Sequence, residues 1–278
     1  MFSFGDQTEK RVQVLTMRLA TWNLNKAFTK SDTRLPQWMW VDQDLKADVA
    51  VLTEAEIPKQ GIPAGWTAIY KEGGIGPTRQ WGTLVIARSG YELRDITDGV
   101  DGKDGFVLTH SRPGTVVVVD VVKNGKVLVT IVGVYAMTSD LDGKKRGNGW
   151  ESSNEMLADL GPLFKSKRAK RLVLAGDLNL LPPDVPNEFY KQLCDVVLET
   201  EKERWEHGYC CSCSNDQKCG HMWTHWNRSA PDRVQNIDYV FISKKMFTRL
   251  SSVSGGRRDY PGSDKFSDHA PIVVDLVL

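Results

Sequence analysis

Carboxylates, amides and one imidazole recur where apolar segments of the chain begin or end. In chain order they are Asn23, Asn25, Glu54, Asp177, Asn179, Asp238, Asp268 and His269. Oxygen ligands from several carboxylates and amides suit Mg²⁺ or Mn²⁺ and do not suit a soft metal. Such an ion polarises a phosphoryl oxygen, and a carboxylate–histidine pair orients and activates water. If these side chains converge, the chemistry they support is hydrolysis of phosphate esters.

These residues need a scaffold of strands whose ends meet. Apolar β-type segments predict strands over 18–23, 48–53, 66–71, 83–88, 91–96, 105–110, 115–123, 127–135, 171–175, 234–243 and 270–278. Helical spacing of apolar residues predicts helices over 34–47, 152–166 and 188–194. No composition break, repeat or linker divides the chain. The pattern predicts an α+β fold, a sandwich of two sheets in a single domain.

Composition and charge limit the classes of protein to consider. The 278 residues carry 36 Lys and Arg against 35 Asp and Glu, a net charge of +1. This balance argues against a strongly basic coat for nucleic acid, although local basic patches remain open. Apolar runs are too short to span a bilayer, and charged residues precede the first of them, so we expect no membrane insertion and no signal peptide. Residues 1–16 are expected to be a polar lead-in to a domain over 17–278. The oligomeric state is not predicted.

Five short motifs together resemble the endonuclease/exonuclease/phosphatase superfamily, which includes pancreatic deoxyribonuclease and the apurinic endonucleases. The motifs are Ala20-Thr21-Trp22-Asn23-Leu24-Asn25, Val51-Leu52-Thr53-Glu54, Gly176-Asp177-Leu178-Asn179, Asn236-Ile237-Asp238-Tyr239-Val240 and Ser267-Asp268-His269-Ala270-Pro271. Each is weak alone, but all five occur in the family's order across nearly the whole chain. The resemblance implies a four-layer α/β/β/α sandwich of two mixed sheets, deoxyribonuclease-like, and a metal-dependent hydrolase of phosphoester bonds.

The resemblance also implies roles for individual residues. Glu54 matches the principal metal-binding glutamate, with Asn25 and Asp268 as further contacts to Mg²⁺ or Mn²⁺. The remaining matches are catalytic: Asn23 braces the cluster, Asp177 orients the attacking water, Asn179 holds the scissile phosphate, Asp238 and His269 form the carboxylate–histidine pair, and Tyr135 lies near the phosphate.

Two positions depart from the family pattern. Thr53 stands where a glutamine often precedes the metal-binding glutamate, and Ala136-Met137-Thr138 lacks the amide that often follows the tyrosine. Neither change removes a metal ligand, so activity is still expected. The second change puts the substrate contact near Tyr135 in doubt.

Substrate contacts are expected from basic loops and one tryptophan. Lys145 and Arg146 follow the Tyr135 strand, and Arg257 and Arg258 precede Asp268, so both pairs are expected at the rim that carries the chemistry. The basic segment 165–171 precedes the Asp177 strand and is expected at its far end. Trp223 either stacks on a base or sugar or packs in the core. His225 precedes the Asp238 strand and is kept as a pocket candidate.

A cysteine cluster lies outside the family pattern. Four of the five cysteines fall between Cys210 and Cys219, which is unlike the spread of a disulfide framework and favours a reducing, cytoplasmic setting. Cys211, Cys213, Cys219 and His221 offer enough soft ligands for a structural Zn²⁺ site, and free or redox-labile thiols are the alternative. Metal analysis of the purified protein distinguishes the two.

The sequence therefore favours a Mg²⁺- or Mn²⁺-dependent phosphodiesterase, a nuclease that acts on DNA or RNA. One alternative is a phosphatase or phosphodiesterase for small-molecule or lipid head-group phosphates. A second is a catalytically inactive binding module, which the intact motifs disfavour.

Overall fold

Two mixed β-sheets face each other in the computed structural model, which describes residues 15–25, 35–73, 82–97, 107–138, 149–197, 222–227 and 230–278. In spatial order the first sheet consists of β13 (Leu250–Gly255), β14 (Ile272–Val277), β1 (Thr16–Asn23), β2 (Val49–Ala55), β4 (Gly82–Arg88) and β3 (Trp66–Lys71). The second consists of β5 (Glu92–Asp95), β6 (Val116–Lys123), β7 (Lys126–Tyr135), β8 (Leu172–Asp177), β12 (Asp238–Ser243) and β9 (Leu193–Asp195). A separate ladder pairs β10 (His225–Asn227) with β11 (Ala230–Gln235).

Helices lie outside the sheets. Among the described residues the α-helices are α1 (Leu35–Gln43), α2 (Trp150–Phe164), α3 (Asn187–Gln192), α4 (Lys244–Phe247) and α5 (Gly256–Asp259), and 3₁₀ turns occupy Lys167–Arg171, Pro182–Asp184 and Ser263–Lys265. None of these helices in the described ranges has the length and hydropathy that a membrane span requires.

Alternation along the strands builds three apolar layers. Inward-facing residues such as Leu19 and Val51 of the first sheet meet Ile131 and Val173 of the second. The outer face of the first sheet packs on α1, with Trp22, Ala50 and Leu52 against Trp38, Val41 and Leu45. The outer face of the second sheet packs on α2, with Val118, Val132 and Leu174 against Met156, Leu160 and Leu163. The order of layers is helix, sheet, sheet, helix, which confirms the four-layer α+β sandwich.

The two sheets are closely packed at a glycine. A Cβ atom on Gly133 of β7 would lie 2.9 Å from Cγ2 of Thr83 and 3.1 Å from Cγ1 of Val51, both in the opposite sheet. Any side chain at this position would force the sheets apart, because packed cores have little free volume. The spacing between the sheets at this point therefore depends on a glycine at position 133.

Strand direction brings the ends of six strands to one edge of the sandwich. β1 and β2 are parallel, with Asn23 opposite Thr53, and β7 and β8 are parallel, with Tyr135 opposite Asp177. β12 and β14 run antiparallel to β8 and β1, so they begin at the edge where those strands end. We call this edge the polar rim: the last residues of β1, β2, β7 and β8 and the first residues of β12 and β14, with the loops next to them.

Some predicted elements differ from the structure. The strand predicted over 105–110 is wrong where the chain is described, because residues 107–110 lie outside any strand. The strand predicted over 234–243 is two strands, interrupted at Asn236 and Ile237. The helix predicted over 188–194 ends at Gln192, after which β9 pairs with β12. The basic segment 165–171 does lie at the end of β8 away from Asp177, and its Arg168 pairs with Asp120.

The segment around residue 109 is held by a carboxylate of α2. Asp159 is buried and accepts hydrogen bonds from the backbone N–H groups of Thr109 (3.0 Å), His110 (3.0 Å) and Ser111 (2.7 Å). These donors are used by Asp159 and not by a neighbouring strand, which explains why the predicted strand does not form. Burial alone would raise the pKa of Asp159, but the hydrogen bonds from Ser111 and Thr109 hold the pKa below its ordinary value.

We expect Asp159→Asn to lower the free energy of unfolding at pH 7 by about 1.5–3 kcal/mol, because charge-assisted hydrogen bonds are lost. A depressed carboxyl pKa stabilises the folded state above the unfolded-state value and loses that effect as the pH falls through the folded-state value. The difference between variant and wild type should therefore shrink as the pH falls below the ordinary carboxyl range. Urea unfolding across this range measures it. Asp44→Asn, at an exposed position, is the matched control. An Asp159→Asn difference that does not change with pH would contradict the assignment.

Candidate active site

The buried carboxylate of Asp177 is the centre of the polar rim. Its Oδ2 atom accepts a 2.8 Å hydrogen bond from Nδ2 of Asn23, and its Oδ1 atom accepts a 2.7 Å bond from the backbone N–H of Asn179. Nδ2 of Asn179 also donates to the carbonyl of Ala136 at 2.8 Å and lies 3.3 Å from Oδ2 of Asp177. Asp177 is thus held by the ends of β1 and β7 as well as by its own loop.

A glycine is required immediately before this carboxylate. Gly176 has φ of 144°, and a Cβ atom there would lie 1.8 Å from the carbonyl oxygen of Val134. The close approach of β8 to β7 at this point leaves no space for a side chain. The Gly-Asp order of the motif therefore follows from backbone packing.

Asp238 and His269 form the second part of the site. Nδ1 of His269 lies 2.8 Å from Oδ2 of Asp238, and both side chains are buried. Asp238 is paired with Asp177 in the register of β12 and β8. Ligand atoms of Asp177, Asp238 and His269 lie within 4.8 Å of one another. Oδ1 of Asp268 is 4.0 Å from Nε2 of His269. The structure therefore brings these four residues together.

The carbonyl and amide groups around His269 fix its backbone. The hydroxyl of Ser267 accepts from the N–H of His269 at 3.0 Å and donates to the carbonyl of Asn23 at 2.7 Å. The indole N–H of Trp22 donates to the carbonyl of His269 at 2.9 Å. Since Trp22 and Asn23 belong to β1, the imidazole is oriented by the same strand that braces Asp177.

Burial and mutual proximity shift the protonation of this cluster. Burial, together with the charge of Asp238, raises the pKa of Asp177 to about 8. Burial would lower the pKa of His269, but the charge and hydrogen bond of Asp238 and the charge of Asp177 raise it to about 10. Without a bound cation, His269 is therefore protonated at neutral pH, and the carboxyl group of Asp177 titrates close to neutral pH.

Glu54 lies at the end of β2 beside the tyrosine of β7. The hydroxyl of Tyr135 donates to Oε1 of Glu54 at 3.0 Å. The β2–β4 register shifts between Leu52 and Ala55, and Glu54 there has φ of 47°. This left-handed backbone costs a non-glycine residue roughly 1–2 kcal/mol. Strain of this kind persists where the surrounding structure enforces it, often at functional sites.

Two other rim residues share this backbone conformation. Asn25 has φ of 48° and Asn179 has φ of 50°, and asparagine tolerates the left-handed region better than most residues. The backbone N–H of Asn25 donates to Oδ1 of Asn23 at 2.8 Å. Each of these two residues lies two positions after the end of a strand and places a half-buried oxygen-bearing side chain at the rim.

The residues present fit a divalent cation with oxygen ligands. Glu54, Asn25 and Asp268 carry carboxylate and amide oxygens at the rim, the type of ligand that Mg²⁺ and Mn²⁺ prefer. In addition, Oδ1 of Asp238 is buried and has no hydrogen-bond partner in the part of the chain that the structure describes. A buried carboxylate oxygen in this state is unfavourable unless a cation or water compensates it.

A second histidine lies against the first. The ring centroids of His225 and His269 are 4.6 Å apart, and Nδ1 of His225 is 3.1 Å from Oε1 of Gln235. Burial and the charge of His269 lower the pKa of His225. The sequence indicated His225 only by its place before the Asp238 strand. Its contact with His269 depends on the pairing of β10 with the segment before β14, which no local pattern reveals.

The predicted substrate contacts have different outcomes. Trp223 is buried, which favours core packing over stacking on a substrate. Arg257 and Arg258 lie in α5, but their side chains are outside the described part, as are Lys145 and Arg146 entirely. The zinc candidates Cys211, Cys213, Cys219 and His221 also lie outside the described residues. The sequence analysis did not single out Trp150, which is exposed beside the Asn179 loop.

No protein-family model and no curated protein sequence matches the chain. Solved structures are similar in fold. A 3'-5' exonuclease (NExo) from Neisseria meningitidis superposes with a TM-score of 0.63 at 19% identity, covering 94% of this chain and 100% of that one. The AP endonuclease LMAP from Leishmania major gives 0.61 at 14%, covering 95% and 88%. Truncated TDP2 from Caenorhabditis elegans gives 0.54 at 14%, covering 95% and 98%. Together with the two-sheet sandwich, these matches show that the chain has the fold of the endonuclease/exonuclease/phosphatase superfamily.

Proposed function

We propose that this protein is a divalent-metal-dependent phosphodiesterase that hydrolyses nucleic acid, with DNA as the favoured substrate. The observation that carries the proposal is the buried Asp177–Asp238–His269 cluster, which shares one rim with the oxygen donors Glu54 and Asp268. DNA is favoured because the similar structures include an AP endonuclease and a 3' phosphatase bound to a product DNA hairpin. No observation favours a lipid or small-molecule phosphate.

Glu54, Asn25 and Asp268 are the residues that would hold Mg²⁺ or Mn²⁺. A bound ion of this kind would polarise a phosphoryl oxygen and offset negative charge that develops on it. The hydroxyl of Tyr135 keeps one carboxylate oxygen of Glu54 in place. The choice between the two ions is part of the proposal.

The remaining rim residues have roles that follow from their contacts. Asp177, with a pKa raised to about 8, is a stronger base than an ordinary aspartate, and its ionised form is suited to accept a proton from water. Nδ2 of Asn179 can give up its long 3.3 Å contact with Oδ2 of Asp177 and donate to a phosphate oxygen instead. His269, kept cationic by Asp238, stabilises negative charge on the phosphate. Asn23 holds Asp177 in orientation.

Several further expectations belong to the same proposal. We assign residues 17–278 to one catalytic domain, a cytoplasmic location to the protein, and polyanion contacts to Lys145, Arg146, Arg257 and Arg258. Structural Zn²⁺ at the cysteine cluster stays an alternative to free thiols. These assignments rest on the sequence.

We expect Glu54→Gln to lower kcat/KM by at least about 10²-fold, because the metal site loses a charged ligand. End-labelled single- and double-stranded DNA and RNA, incubated with Mg²⁺, Mn²⁺ or EDTA and resolved on gels, measure the activity and its substrate. Glu56→Gln, two residues along, is the matched control and should stay close to wild type. Cleavage in EDTA, or near-normal turnover of Glu54→Gln, would refute the proposal.

We expect Asp238→Asn to lower the pKa of His269 from about 10, because the variant loses the charge and the hydrogen bond of Asp238 while burial still disfavours the charged ring. In EDTA, the wild-type ring should stay protonated through neutral pH, whereas the ring in the variant should lose its proton at a lower pH. Heteronuclear NMR titration of the histidine rings measures this, and His225→Gln assigns the neighbouring signals. Identical titration in wild type and variant would show that Asp238 does not set the charge of His269.

A further inference from the structure

An exposed tryptophan stands next to the loop that carries Asn179. Trp150, the first residue of α2, is 53% exposed, more than any other large aromatic side chain among the described residues. The N–H of the preceding Gly149 donates to the carbonyl of Asn179 at 3.2 Å. One Cα step of about 3.8 Å separates Gly149 from Trp150. The indole is therefore anchored within roughly 10 Å of the Asn179 backbone.

The backbone around Trp150 is rigid. A Cβ atom on Gly149 would lie 2.1 Å from the carbonyl oxygen of Leu178, so the start of α2 is pressed against the loop after β8. Nδ2 of Asn154 donates to the carbonyl of Trp150 at 2.8 Å, which secures the first turn of the helix. A side chain on such a base presents its surface in a defined place, as a recognition element requires.

A second exposed apolar side chain flanks the same loop. Leu181 is 37% exposed and lies two residues after Asn179, at the start of the 3₁₀ turn Pro182–Asp184. Single exposed apolar residues are ordinary on protein surfaces. Here, however, two of the five large exposed apolar side chains in the described ranges lie within two residues of the two ends of one backbone hydrogen bond, that between Gly149 and Asn179. Both residues are therefore close to Asn179, the residue to which we assign the phosphate contact.

We propose that Trp150 is the stacking platform for the nucleobase adjoining the scissile phosphate, with Leu181 as the apolar side of this subsite. This inference rests on the proposed function, because the phosphate held at Asn179 places the adjoining nucleotide. An indole face stacks on any of the four bases and discriminates little between them. The base must have one uncovered face, so it belongs to an unpaired segment or to a strand terminus.

Trp150→Ala should raise KM for a single-stranded oligodeoxynucleotide about tenfold and leave kcat within about threefold, since stacking contributes to binding of the nucleotide and not to the reacting atoms. Trp150→Phe should restore most of the loss. Met39→Ala, at a 49% exposed apolar residue in α1 on the other sheet, is the matched control. If Trp150→Ala does not fold by circular dichroism, Trp150→Leu replaces it.

The base itself provides the second half of the test. Each position next to the cleaved bond is replaced in turn by 5,6-dihydrothymidine, whose saturated ring is not planar and stacks poorly. At one position this should raise KM of the wild type about tenfold, and it should have little further effect on Trp150→Ala, because both changes remove the same contact.

The outcomes separate the two hypotheses. If wild-type protein cleaves no oligonucleotide with Mg²⁺ or Mn²⁺, the proposed function fails. If it cleaves, but KM is unchanged in Trp150→Ala, or the effects of the variant and of the saturated base are independent, the stacking platform is refuted and the nuclease assignment stands.

Discussion

The burial of two carboxylates side by side is the constraint on which the site depends. Asp177 and Asp238 are opposite each other in adjacent strands and both are almost fully enclosed. Burial penalises the charged carboxylate, and repulsion from Asp238 adds to this effect, so the pKa of Asp177 rises to about 8. The cationic ring of His269 compensates part of the charge. A divalent cation at the neighbouring oxygen donors would compensate more of this negative charge. The arrangement therefore favours a cation beside the carboxylates and an anionic group, such as a phosphate, beside the imidazolium.

The scaffold imposes this arrangement through strand direction. Parallel pairs end together, and antiparallel partners begin where they end, so one edge collects the residues of six strands. Side chains of β1 then reach both halves of the site: Asn23 bonds Asp177 directly, while Trp22 bonds the backbone of His269. Because β1 is central in its sheet and packs on β8 and β12, neither half can shift without disturbing the apolar core.

Much of the sandwich and of its rim could be predicted from the sequence, because the strands and the polar residues at their ends are short local patterns. Strand and helix patterns along the chain predicted a sandwich of two sheets. The resemblance carried by the five motifs implied which residues belong to the site. Features that depend on contacts between distant segments were not visible. The segment near Thr109 has a strand-like composition, yet its N–H groups bond to Asp159 of a later helix. His225 and Trp150 gain their significance from neighbours that only the folded chain provides.

Several features of the site lower the stability of the folded protein. A repelling pair of buried carboxylates, an unpaired oxygen of Asp238 among the described residues, and a glutamate in left-handed conformation are each unfavourable. They persist because the continuous apolar layers on both sides of each sheet supply the stabilisation that the rim lacks. Groups that served only to stabilise the fold would relax towards paired and unstrained geometry. The concentration of unfavourable features at one rim is therefore a physical argument, independent of any resemblance, that the rim is where this protein does its chemistry.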